Sequence, residues 1–267
     1  MAKQRIWLGI VFCLLWVSAG ESVFAQGFSW PEEPENLKVL PGSVKGSELG
    51  NVMRGFASGL GVRCQYCHAA RAGQEIDPMD LMTFDFASDA NPMKENARTM
   101  IKMVSAINDT HLSELDVLDS EKPDSERLAV SCITCHHGLE KPRQLEDVLA
   151  GVLDADGVAA AIQGYHELRE RHYGSSAYNF RAGELGGLAE RLLEEGELEA
   201  AIEILALENE QYPDFAWGHY LSATAHEKAG DREAALEHMQ KAVDVAPANG
   251  KAFFSRALEE LKQESPR

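Results

Sequence analysis

Two short stretches, Cys64-Gln65-Tyr66-Cys67-His68 and Cys132-Ile133-Thr134-Cys135-His136, repeat one pattern of two cysteines three apart with a histidine directly after the second. On a short helical turn the two thiols reach the two vinyl groups of one porphyrin, and the histidine is set to ligate its iron. This is the pattern of covalent c-type haem attachment. Two occurrences imply two covalently attached haems, with Cys64, Cys67, Cys132 and Cys135 as attachment points and His68 and His136 as iron ligands. A zinc held by four thiolates would leave both histidines unexplained. A redox dithiol would account for one cysteine pair but not for two.

The opposite face of each iron decides the chemistry. Methionine or histidine there closes the site for electron transfer, and methionine raises the potential; an open face admits a small ligand and enzymatic chemistry. For the first haem the candidate is Met53, eleven residues before Cys64. For the second haem Met100 and Met103 share one predicted helix, and His111 near its end would give a pair of histidines instead. Periodicity favours Met100 and leaves the choice open. The ordinary alternative for each methionine is a gap-filling place in a core.

The elements that must position these residues read as helices. Ser47 is a good N-cap, and Leu49, Val52, Met53, Phe56 and Leu60 fall on one helical face. Gly59 and Gly61 then end the helix and turn the chain into Cys64. Residues 26 to about 46, with Trp30, Pro31, Pro34 and Pro41, read as an extended lead-in, and the polar stretch from His68 to about Ala90 as a loop. Asn91-Pro92 predicts a second helix start, with Met93, Ala97, Met100, Ile101, Val104 and Ile107 as its apolar stripe. A polar connection through Pro123 leads to the second haem motif, so helix, link and motif occur twice.

Beyond Gln144 two helices broken near Asp154 to Gly157 read as a connector over 144–181. After it, Ala189, Ala201 and Pro213, then Ala223, Ala235, Ala242 and Pro247, recur with a 34-residue period. Glu208 stands where the fourth small residue of the first unit belongs. The spacing resembles two tetratricopeptide repeats and a capping helix in 182–267, and so short an array is expected to lean on the haem domain.

The chain has 43 acidic and 25 basic residues and a formal charge of -18, which excludes nucleic acid as a partner, since a phosphate backbone would be repelled. Lys3, Arg5, the apolar run from Ile6 to Val17, and Val23-Phe24-Ala25 predict a cleaved export signal over residues 1–25, hence a periplasmic protein; retention as a membrane anchor is the alternative reading. The signal also accounts for Cys13, the one cysteine of five outside the motifs. No Ser/His/Asp set, phosphate loop or carboxylate pair stands out.

Several stretches together resemble one family: Asn36 to Pro41, Met53 through Leu60-Gly61-Val62 to the first haem motif, Asp85-Phe86-Ala87-Ser88-Asp89, Lys94 to Met103, and Thr134 to Gly138. They look like the haem domain named after the cytochrome subunit of photosynthetic reaction centres, in a two-haem form. The resemblance implies haems lying along helices, methionine as the usual sixth ligand, and electrons passed to a membrane-bound redox partner. The photosynthetic subunit has four haem motifs, and this chain has two.

The expectation is therefore an all-α protein with a helical dihaem c-type domain over 26–143 and a short tetratricopeptide array. The implied role is single-electron transfer between redox partner proteins, with the array as a docking surface. A dihaem enzyme of peroxidase type, with one open haem, is the competing reading.

Overall fold

The computed structural model describes residues 28–115 and 128–263. The predicted export signal with Cys13, and the connection around Pro123, lie outside the described residues. The fold is mainly helical, as expected. The first half is organised around α1 (Gly46–Leu60), α2 (Met93–Ala106) and the five-residue α3 (Cys132–His136).

Helix α1 ends at Gly61, whose φ of 67° is left-handed and suits the residue type. Its start differs from expectation: Lys45 occupies the N-cap with no side-chain hydrogen bond, and Ser47 lies inside the first turn. The first turn is fixed instead by the lead-in, because the Gly46 N–H donates to the Pro31 carbonyl at 2.8 Å. The Trp30 indole then crosses Gly50, where a Cβ would stand 2.6 Å from its ring nitrogen.

The expected loop from His68 to Ala90 contains a two-strand antiparallel ladder, β1 (Ala69–Ala70) and β2 (Phe84–Asp85), with a 3-10 turn at Leu81–Thr83 before β2. Pairing at this length leaves no room for an alternating apolar pattern, so no period-two signal marks it. Phe84 on β2 is fully buried.

In the second half, α4 (Leu145–Asp156) and α5 (Val158–His172) form one antiparallel hairpin. The hairpin of α6 (Gly186–Glu195) and α7 (Leu198–Gln211) follows, then that of α8 (Ala216–Lys228) and α9 (Arg232–Val245), and finally α10 (Lys251–Gln263). Ala189, Ala201, Ala223, Ala235 and Ala242 are all fully buried. Helices approach too closely at these points for a larger side chain.

Support for this array comes from the segment read as a connector. Leu145, Leu149 and Tyr165 share one buried cluster with Leu188, Leu192, Ile204 and Leu205. The α4–α5 hairpin thus packs as a further helical layer against α6 and α7. Glu208 explains the break in the small-residue period. Its buried carboxylate accepts the Gly183 N–H at 2.6 Å and the Leu185 N–H at 3.1 Å, so it closes the turn into α6. Among the described residues no helix is long and apolar enough to cross a membrane.

Candidate haem site

The first motif begins where α1 ends. Gly61 reverses the chain, Arg63 is extended, and Cys64–Tyr66 form a single 3-10 turn rather than a longer helix. His68 follows directly, joined to the Cys64 carbonyl through its N–H at 3.0 Å. The second motif is α3 itself, entered through a reciprocal capping box of Ser131 and Thr134. It is closed by His137 at φ 51° and Gly138 at φ 83°.

The two halves brace each other crosswise. The helix before the first motif packs on the second: the Gly138 N–H donates to the Gly59 carbonyl at 3.0 Å, and a Cβ at Gly59 would stand 2.9 Å from the Cys132 Cβ. A Cβ at Gly61 would collide with the Gly138 carbonyl. Conversely, the helix before the second motif docks on the first. The Asn91 side chain accepts the Met93 N–H at 3.0 Å, so it caps α2, and its amide donates to the Tyr66 carbonyl at 3.1 Å and the Gln65 carbonyl at 3.3 Å. A further tie joins Tyr66 to Glu140, just past the second motif; this hydrogen bond, with burial second, pushes the phenol up. The helix–link–motif order is repeated in sequence and interlocked in space.

Between these elements lies a cavity of about 350 Å³. Cys64, Cys67, His68, Cys132 and His136 line it together with Met53 on α1 and Met100 on α2. Cys135, Met103 and His111 are not among its lining residues; Met103 and Cys135 are exposed, and His111 lies in the π turn Ile107–His111 after α2. Met100 lies at the mouth, 38% exposed.

The donor set fits a covalently attached haem. Phe56 and Leu60 of α1 and Ala97 and Ile101 of α2 turn their apolar faces into the cavity, so a large apolar group would be stabilised there by leaving water. Each imidazole is prepared for a ligand in its own way. His136 holds its Nδ1 on the Leu139 carbonyl at 2.8 Å, which puts the proton on Nδ1 and leaves the Nε2 lone pair free. In His68 the Nδ1 is buried without a hydrogen-bond partner. Burial first, and the Lys94 ammonium second, push that imidazole down to about 4, so it stays neutral at physiological pH as an iron ligand must.

The same features disfavour zinc. Burial pushes the Cys67 and Cys132 thiols up, against the thiolate form that zinc requires. Among the described residues no group of three or more His, Cys, Asp or Glu is arranged to hold a metal ion.

Reading by type and spacing found the motifs and the methionines but missed Asn91 as a bridge, Lys94, and Phe86, whose ring meets His68 edge-on at 4.9 Å. It also missed an ionic knot at Asp89, where Arg98 (2.8 Å), Lys38 (2.6 Å) and Lys94 (3.3 Å) converge. Arg98 above all, then Lys38, holds the Asp89 carboxyl well below the usual carboxylate range. This knot fastens the lead-in to α2 across one wall of the cavity. In the sequence its members fall in three separate stretches, Asn36 to Pro41, Asp85 to Asp89 and Lys94 to Met103, with nothing to pair them.

Part of the chain is similar to known proteins. Residues 38–152 match the family described as photosynthetic reaction centre cytochrome C subunit. The chain is 29% identical over 170 residues to cytochrome c-554 of Chloroflexus aurantiacus, covering 58% of this chain and 34% of that protein. It is 32% identical over 106 residues to the photosynthetic reaction center cytochrome c subunit of Thermochromatium tepidum, covering 38% of this chain and 24% of that one. The chain thus spans about a third or less of the length of these relatives. The matched region contains both haem motifs, α1 from Gly46 and α2. Residues 38–152 are therefore similar to the cytochrome c domain of the photosynthetic reaction centre cytochrome type.

Proposed function

We propose that this chain is an exported dihaem c-type cytochrome that passes single electrons between redox partner proteins, with its helical hairpins acting as a tetratricopeptide docking surface. The observation that carries the reading is the single cavity on which both haem motifs, Met53 and Met100 converge. When bound, each haem iron supplies the one-electron couple. The protein residues do the rest. Cys64 and Cys67 hold one porphyrin and Cys132 and Cys135 the other, through thioethers that prevent loss of the group. His68 and His136 would be iron ligands. Met53 would serve as a further ligand to the first haem and Met100 to the second, a choice supported by Met100 sharing the cavity wall with both motifs while Met103 and His111 do not. The apolar walls keep water from the iron, which favours a raised potential and small reorganisation.

Two closed haems distinguish a carrier from a peroxidase-type enzyme. The reduced protein is expected to bind carbon monoxide slowly or not at all at either haem; ready binding at one haem would favour the enzyme. Met53→Ala should abolish the methionine-to-iron charge-transfer band of one haem, lower its midpoint potential, and open that haem to carbon monoxide. A spectrum identical to that of the unaltered protein would remove Met53 from the ligand set.

A further inference from the structure

Phe86 is the aromatic neighbour of His68. The two rings meet at 4.9 Å and 75°, and Phe86 also stacks on the buried Phe84 at 5.4 Å and 15° and packs against Phe28 and Trp30. Phe86 belongs to the irregular segment that follows β2, where no ladder holds the backbone. The Lys94 ammonium holds it instead, together with the Asn36 amide, which donates to the Ala87 carbonyl at 2.6 Å. Lys94 Nζ donates to the carbonyls of Phe86 at 2.9 Å, Ala87 at 3.0 Å and Ser88 at 2.8 Å, and meets Asp89 Oδ1 at 3.3 Å. An ammonium has three N–H donors, and here three consecutive carbonyls take them. Three carbonyl dipoles aimed at one point repel each other unless a cation sits at that point, so the loop conformation depends on Lys94. From inside, Asp85 Oδ1 accepts the Ala87 and Ser88 N–H groups, which completes the turn.

Lys94 is itself well placed to transmit position. It lies in the first turn of α2, one residue from the start at Met93, and Asn91 pins that start to the first haem motif. Its side chain is 13% exposed and lines the cavity. The path from α2 to the imidazole is therefore Lys94, the 86–88 backbone, the Phe86 ring, and His68.

We propose that Lys94 is a positioning residue for the first haem: by caging the 86–88 backbone it holds the Phe86 ring against His68 and so sets the midpoint potential of that haem. This rests on the reading of His68 as an iron ligand. The ring restricts rotation of the imidazole and keeps water from its buried face. Once the cage is released, water approaches the ligand, the more highly charged oxidised state is favoured, and the potential falls. Loss of the Lys94 charge alone would shift the potential in the same direction, so direction by itself does not separate the two routes.

Their coupling does. Lys94→Gln, Phe86→Leu and the double variant, each purified with haem attached, are titrated spectroelectrochemically. Each single variant is expected to lower the potential of one haem and leave the other within error. The double variant is expected to shift no further than the larger single shift, because both changes break one path. Full additivity would show that Lys94 acts by charge alone and would overturn the proposal. An unshifted Phe86→Leu protein would overturn it too, and that variant decides the matter even if Lys94→Gln does not assemble. Failure of the underlying ligand assignment looks different: His68→Met would then leave both haem spectra unchanged.

Discussion

Gly61→Val is expected to damage the second haem site, although residue 61 lies three positions before the first motif. Two penalties act together. The backbone at 61 has φ 67°, where a branched side chain costs about 1–3 kcal/mol. The new Cβ would also collide with the Gly138 carbonyl, two residues past His136, and no rotamer change moves a Cβ. The turn that fastens α1 to the second motif must therefore open, and the Gly138 N–H bond to the Gly59 carbonyl opens with it. The measurable outcome is a lowered melting midpoint and a substantial fraction of chains lacking the haem at Cys132 and Cys135. Gly55→Ala on the same helix serves as the control. A Cβ there meets nothing within 4 Å, so removing a helical glycine should stabilise by about 0.5–1 kcal/mol. Equal behaviour of the two variants would contradict the cross-bracing.

Cys132→Ser with Cys135→Ser should remove one haem and at the same time disturb the other. Cys132 lines the cavity shared with His68, Met53 and Met100, so without its porphyrin a wall of Phe56, Leu60 and Ile101 is left facing water. Deleting a group that fills an apolar cavity costs the lost transfer energy plus the cavity, a few kcal/mol for a single large side chain and more for a porphyrin. The remaining haem is expected to show a lower potential and a weakened methionine band. Two independent halves would instead leave the first haem unchanged in both respects.

Legibility in the sequence followed the range of the interactions. The two Cys-x-x-Cys-His motifs and the methionines upstream of them are local patterns, and the left-handed turn at Gly61 was readable from residue type and spacing. So were α1 and α2, whose apolar stripes have the helical period. Contacts across the chain were not readable. The cross-brace between 59–61 and 132–138 leaves only two glycines as its trace, and a glycine in a turn is explained by the turn alone. Nothing local marks Lys94, whose three carbonyl partners lie six to eight residues back along the chain. The hairpin over 145–172 reads as a connector because its partners, such as Leu188 and Ile204, are far along the chain. At Glu208 a departure from the repeat pattern looked like decay, yet the carboxylate closes the turn into α6, the helix before its own.

On the proposed function, one interlocked module holds two covalently bound haems. Intact mass of the purified chain, read with its alkaline pyridine haemochrome spectrum, tests it most directly. The expected result is the mass of the polypeptide plus two haems, with a spectrum of two thioether-linked groups per chain. One haem per chain, or none, would contradict it.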